Sequence, residues 1–130
     1  MDKLNLTISK IETYLYSLIN GKVSKNTFVG TPPETMKTAW SDLCVIDCGS
    51  AITDLDAYGG GVIRILLYAR PMADGSKNVS TLASLDKKLM NVLTNINNET
   101  YQLNRRNTYT DYDTERKWHY NIVEFNLIIF

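Results

Sequence analysis

A chain of 130 residues is long enough for one domain with its own core, without disulfide or metal staples. Its hydrophobic share of 44% and charged share of 22% exclude a disordered chain, and 14 basic residues balance 14 acidic ones. Overall charge therefore gives no reason to expect nucleic acid or an anionic membrane as a partner.

The first twenty residues, MDKLNLTISKIETYLYSLIN, are periodic and interrupted by charge, unlike the apolar centre of a secretory signal. Ile8, Ile11, Leu15, Leu18 and Ile19 recur at three-four spacing, which predicts one apolar stripe of a helix, with Gly21 as its left-handed C-cap. Lys22 to Gly30 is a short extended or looping piece. Pro32 and Pro33 then predict a turn or helix start, leading to a short helix through Ala39 and Trp40.

From Asp42, DLCVIDCGS predicts a strand with Leu43 and Val45 on one face and Cys44 and Ile46 on the other. Cys44 and Cys48 share a face at a separation of roughly 13 Å on such a strand, too far for a disulfide, so reduced thiols are expected. In DAYGGGVIRILLYARP, the run Gly59, Gly60, Gly61 predicts a flexible turn. Val62 to Ala69 is nearly continuous apolar sequence, which suits a strand covered on both faces in mid-sheet. Pro71 ends it, and Asp74-Gly75 marks a polar turn.

Val79, Leu82, Leu85, Leu89, Val92 or Leu93, and Ile96 follow helical spacing and predict the strongest helix of the chain. Two extended segments follow. TYQLNRRNTYTDY places Tyr101 and Leu103 on one face and then turns polar; WHYNIVEFNLIIF alternates and becomes apolar on both faces at its end. No segment approaches the roughly 20 apolar residues of a membrane-spanning helix. The expected fold is a single α+β domain over residues 1–130. A mainly antiparallel sheet of four to five strands carries the N-terminal helix and one long amphipathic helix on one face.

Catalytic constellations are hard to assemble from these residues. The glycine triplet precedes a strand instead of joining a strand to a helix, and no Gly-Lys-Ser/Thr follows, so a phosphate cradle is not expected. His119 is the only histidine and lies between aromatics, where cross-strand packing is the simpler role. Ser50 lacks the flanking pattern of a nucleophile elbow. The acidic groups Asp54 and Asp56, and Asp111, Asp113 and Glu115, lack the spacing of a calcium loop. Arg105, Arg106, Arg116 and Lys117 form a basic strip that reads first as a charged surface hairpin balanced by its neighbouring aspartates, with contact to DNA phosphates or an acidic neighbour as the alternative. No catalytic residue, cofactor or metal site is expected.

Aromatic and apolar excess at strand edges points to assembly instead. There are eight tyrosines, a residue enriched at protein interfaces. Two helices are too few to cover both faces of such a sheet, which predicts that copies of the chain shield one another.

The order of segments resembles that of the tail terminator and tail completion (head-tail joining) proteins of tailed bacteriophages. The features that carry the resemblance are the N-terminal helix, the proline-containing loop and the strand GGVIRILLYAR. The polar loop, the helix STLASLDKKLMNVLTNI and the closing strand KWHYNIVEFNLII complete it. The resemblance implies a structural virion protein without enzymatic activity or cofactor. Such a protein forms a homo-oligomeric ring, often a hexamer, at the head-proximal end of the tail, where it ends tail growth and joins tail to head. Its partners would be further copies of itself, the connector and the tail tube. DNA contact would be at most non-specific, in the ring lumen. It would be found in the virion, and in the host cytoplasm during assembly. The contact residues expected are the Tyr58, Gly59, Gly60, Gly61 turn, a hairpin loop with Arg105, Arg106, Asp111 and Asp113, and the aromatics Trp118 and Phe130. The rival readings are a small ligand-binding or regulatory α+β domain, monomer or dimer, with a closed apolar pocket between helix and sheet, and an enzyme built on His119 and an acidic cluster.

Overall fold

Both stripes of helical spacing fold as helices. The computed structural model describes residues 8–48, 53–54, 59–93 and 101–129. Helix α1 (Ile8–Ile19) buries Ile11, Leu15 and Ile19 to 3% exposure or less. It ends as its glycine requires: Gly21 has φ of 77°, and the amides of Lys22 and Val23 fold back on the Ile19 carbonyl. Helix α2 (Val79–Leu93) starts at Asn78, whose side-chain oxygen accepts the Thr81 amide at 3.2 Å, an N-cap. Leu82, Leu85, Leu89 and Leu93 form its buried stripe, while Val79, expected in that stripe, is 65% exposed in the first turn.

The strands are β1 (Thr27–Val29), β2 (Asp42–Asp47), β3 (Thr53–Asp54), β4 (Gly59–Ala69), β5 (Tyr101–Asp113) and β6 (Trp118–Ile129). The sheet runs β1-β2-β4-β6-β5, with β3 beside the start of β4. All neighbours are antiparallel except β1 and β2, which are parallel, so the sheet is mixed. The apolar run of β4 occupies the centre, between β2 and β6, as its two-faced hydrophobicity requires.

Both helices pack on one face. Their leucines and isoleucines close over Cys44, Ile46, Ile63, Ile65, Leu67, Val123, Phe125 and Leu127. At about 1.5–3 kcal/mol for each large side chain fully buried, this layer carries most of the folding energy. The closing strand buries one face against the helices and, at Glu124, 5% exposed and paired with Arg64 at 2.9 Å, part of the other face too. Val123, Phe125 and Leu127 are buried, whereas Asn126 is exposed and Ile122 and Ile128 are half-buried. Leu127 is thus enclosed by its own chain at 3% exposure.

The opposite face corrects two expectations. Residues 31–41 form no helix; they cross the sheet as an irregular strap. Their carbonyls are held by arginines: the Arg116 guanidinium donates to Pro33 O at 2.7 Å and to Pro32 O at 3.3 Å, and that of Arg70 donates to the Lys37 and Thr38 carbonyls. Met36 and Trp40 of this strap, with Phe28, cover Leu43, Val45, Tyr68 and Trp118. Part of the second face is therefore shielded by the chain itself, with no second copy needed there.

A third correction concerns the glycines. Gly59, Gly60 and Gly61 are not a turn but the first residues of β4, paired with Ile129, Ile128 and Leu127 of β6. Gly59 and Gly60 also pair with Asp54 and Thr53 on the other side. Pairing on both flanks outweighs the local freedom of the triplet.

Candidate assembly interface

The β5–β6 hairpin is built around one carboxylate. Asp113 accepts the amides of Glu115 at 3.1 Å and Arg116 at 3.0 Å, and it forms an ion pair with the Arg116 side chain at 2.9 Å. Tyr68 donates its hydroxyl to the same carboxylate at 3.3 Å. Lys117, at φ of 61°, completes the turn, and its amide donates to the Asp113 carbonyl. Burial alone pushes the Asp113 carboxyl up, but the Arg116 amide and guanidinium outweigh it and hold the group below the usual carboxylate range. The Tyr68 hydroxyl is driven upward, first by burial and then by the Asp113 charge. Because Arg116 also grips the strap, one side chain joins the hairpin turn to the cover of the outer face.

From this anchor β5 runs as an edge strand. It pairs with β6 along one side and, among the described residues, with no strand along the other. A bulge between Arg105 and Thr108 shifts the register. Every residue from Asn104 to Tyr112 is exposed, so this edge is open on both faces as well as along its flank. Tyr109 is 48% and Tyr112 41% exposed. On the outer face Tyr109 stands opposite Ile122 and, one strand further, Leu66. Leu66 and Ile122 are both half-buried, so an apolar row leads from the strap to the open edge.

The sheet's other end has a smaller counterpart. β1 is its outermost strand, Val29 on it is 43% exposed, and Tyr16 of α1 is 37% exposed. Glu12, Thr13, Tyr16 and Val29 line a shallow hollow there. Four of the six exposed large apolar side chains of the described residues thus lie at the two opposite ends of the strand order.

The residues expected to make contacts divide. Arg106 and Asp111 are exposed on β5, although in strand and not in a hairpin loop. Arg105 also lies in the strand and is engaged by Asp86 of α2, through two hydrogen bonds of 2.8 Å each. Asp113 is the internal anchor of the turn. Trp118 is 6% exposed and belongs to the packed outer cluster, with the Arg70 guanidinium over its ring. Gly59, Gly60 and Gly61 are ladder residues, and Tyr58 and Phe130 lie outside the described residues. What sequence reasoning missed was Arg116 as the pin, and Tyr109 and Tyr112 as exposed edge residues.

Cys44 and Cys48 are buried free thiols; burial first, then Asp42 near Cys44 and Glu12 and Asp47 near Cys48, pushes both up to about 12. His119 lies in β6 with its ring 4.7 Å from that of Tyr112, and its Nδ1 is buried without a hydrogen-bond partner among the described residues. Asp54 is in β3, while Asp56 and Ser50 lie outside the described residues. Among the described residues no group of three or more His, Cys, Asp or Glu could hold a metal ion, and no helix is long and apolar enough to cross a membrane. No known family model matches the chain, and no curated protein matches it.

Proposed function

We propose that the chain is the structural subunit of a homo-oligomeric ring at the head-proximal end of a phage tail, where it ends tail growth and joins the tail to the head connector. The observation that carries this reading is the β5 edge, which among the described residues is unpaired along its outer flank and is exposed from Asn104 to Tyr112. A long open edge of this kind either recruits another strand or must be blunted. A contact from the β5 end of one subunit to the β1 end of the next is heterologous, and when its rotation closes it makes a ring. Tyr109 and Tyr112 on one side, and Tyr16 and Val29 on the other, supply apolar area for such a joint. The order of elements, helix, proline strap, central strand, helix and closing hairpin, supports the place in the particle that the family resemblance implies.

A ligand-binding domain has less support, because side chains of both helices fill the space over the sheet and leave Leu85, Leu89, Ile65 and Phe125 at 2% exposure or less. The test is light scattering on the purified protein together with negative-stain images. A mass several times 14.8 kDa and annular particles support the ring. A single-subunit mass at every concentration, with no annuli, overturns it.

A further inference from the structure

At the β1–β2 end of the fold, beneath the C-terminus of α1, lies a cleft of about 420 Å³ whose lining shares no residue with the hollow at Tyr16 and Val29. Its walls come from three places. The turn after α1 contributes Lys22 and Lys25, the entry to β2 contributes Trp40 and Asp42, and α2 contributes Lys88. Three lysines thus share its lining with one aspartate. Among the described residues none of the three lysines forms an ion pair. In a chain of zero net charge, such a concentration of unmatched cations in a concave site is a local exception.

The frame of the cleft is fixed. Ser24, 5% exposed, donates its hydroxyl to the Asp42 carboxylate at 2.6 Å and receives the Asn26 amide at 3.1 Å. The Asn26 side chain donates to the Asp42 carbonyl at 2.9 Å, and the Thr27 hydroxyl to the Ser24 carbonyl at 3.1 Å. These bonds tie the turn carrying Lys22 and Lys25 to the start of β2. The carbonyl end of α1 is partly spent as well, since Tyr16 O and Ile19 O accept the amides of Asn20, Lys22 and Val23. Less of the helix's negative end is left to repel an anion.

Lys88 is aimed by helical geometry. At about 100° per residue, Leu85 and Leu89 face the core, Asp86 turns to one flank and Lys88 to the other. Asp86 is indeed bound by Arg105 of β5, which leaves Lys88 on the flank that lines the cleft. Lys87 points away from the core, to solvent.

We propose that this cleft binds a phosphate group, with Lys22, Lys25 and Lys88 as its cations and the Ser24–Asp42–Asn26 network as its rigid floor. Lysine suits this role as a mobile point charge on a group with several acceptor oxygens. Trp40, half-buried and with its ring centroid 5.6 Å from that of Phe28, adds an aromatic side chain to the lining. The phosphate can come from the backbone of a nucleic acid or from a free phosphorylated molecule. The proposal does not depend on the ring: a monomer that keeps this cleft still binds.

The test compares wild-type protein, the triple variant Lys22→Ala, Lys25→Ala, Lys88→Ala, and the control Lys87→Ala. Pyrophosphate is titrated by calorimetry, and a short fluorescein-labelled DNA duplex by anisotropy, both at low ionic strength. All the substituted lysines are exposed, and circular dichroism with a thermal midpoint confirms that each variant is folded. The triple variant is expected to bind at least one probe about tenfold more weakly or worse, with a shallower salt dependence, while Lys87→Ala stays within about twofold. Tighter binding of DNA than of pyrophosphate assigns the phosphate to a nucleic acid; the reverse order assigns it to a small molecule. The proposal is overturned if wild-type protein binds neither probe. It is equally overturned if Lys87→Ala weakens binding as much as the triple variant, since bulk charge then suffices.

Discussion

Replacing Asp113 by alanine removes the acceptor that holds the hairpin turn together. The change deletes hydrogen bonds from the Glu115 and Arg116 amides, the Tyr68 hydroxyl contact and the ion pair with Arg116. The Arg116 side chain, 15% exposed, then loses its carboxylate. Stripping one member from a fully buried pair costs about 3–5 kcal/mol. Here Arg116 keeps the Pro32 and Pro33 carbonyls, so the expected loss is somewhat smaller, about 2–4 kcal/mol. Urea unfolding measures it directly, and a thermal midpoint lower by about 10 °C accompanies it.

The pH dependence gives the same claim a second reading. The folded state holds the Asp113 carboxyl below its ordinary range, so its stabilisation is fully present above the unfolded value of about 3.9 and is lost as pH falls through the lower folded value. The gap between wild type and Asp113→Ala is therefore level near neutrality and narrows below about pH 4. Asp113→Asn, which can still accept an amide, should lose less than alanine does. A loss under about 0.5 kcal/mol for Asp113→Ala, or a gap that stays constant to the lowest pH at which the protein folds, refutes the assignment of Asp113 as the anchor.

Three further outcomes follow from the packing and the backbone. Phe125→Ala, at a site 2% exposed beneath both helices, should cost about 3–5 kcal/mol in urea unfolding. Cys44 and Cys48, buried and raised to about 12, should resist iodoacetamide at pH 8 in the folded protein and react fully in urea, as mass spectrometry reports. The same shifts make stability fall as pH rises past the ordinary thiol range, because only the unfolded chain then loses those protons. Gly75→Ala should cost about 1 kcal/mol through backbone strain alone, since Gly75 has φ of 86° and open space around it.

Elements whose partners lie close in sequence were legible before any coordinates. The Ile11, Leu15, Ile19 stripe, its Gly21 cap, the Leu82, Leu85, Leu89 stripe and the Asp74-Gly75 turn follow from local geometry, as does the central placement of β4. The misread segments are those that distant residues decide. Gly59 to Gly61 form a strand because β6 lies beside them, and the β5 sequence from Asn104 to Tyr112 lacks apolar alternation because neither of its faces is covered. The strap over residues 31–41 owes its path to Arg70 and Arg116, which no local pattern reveals. The parallel pairing of β1 was hidden for another reason: three residues are too few to show a period. Cover of the second face was equally hidden, since Met36, Trp40 and Phe28 come to shield part of it only through the path of the strap.

On the proposed reading, the β5 edge, unpaired along its outer flank among the described residues, joins one copy of the chain to the next. The most direct measurement of this joint is the solution mass of wild-type protein beside Tyr109→Lys, Tyr112→Lys, since lysine on an exposed edge blocks strand addition without touching the core. The account predicts a mass several times that of one subunit for wild type and one near 14.8 kDa for the folded variant. Equal masses for the two proteins contradict it.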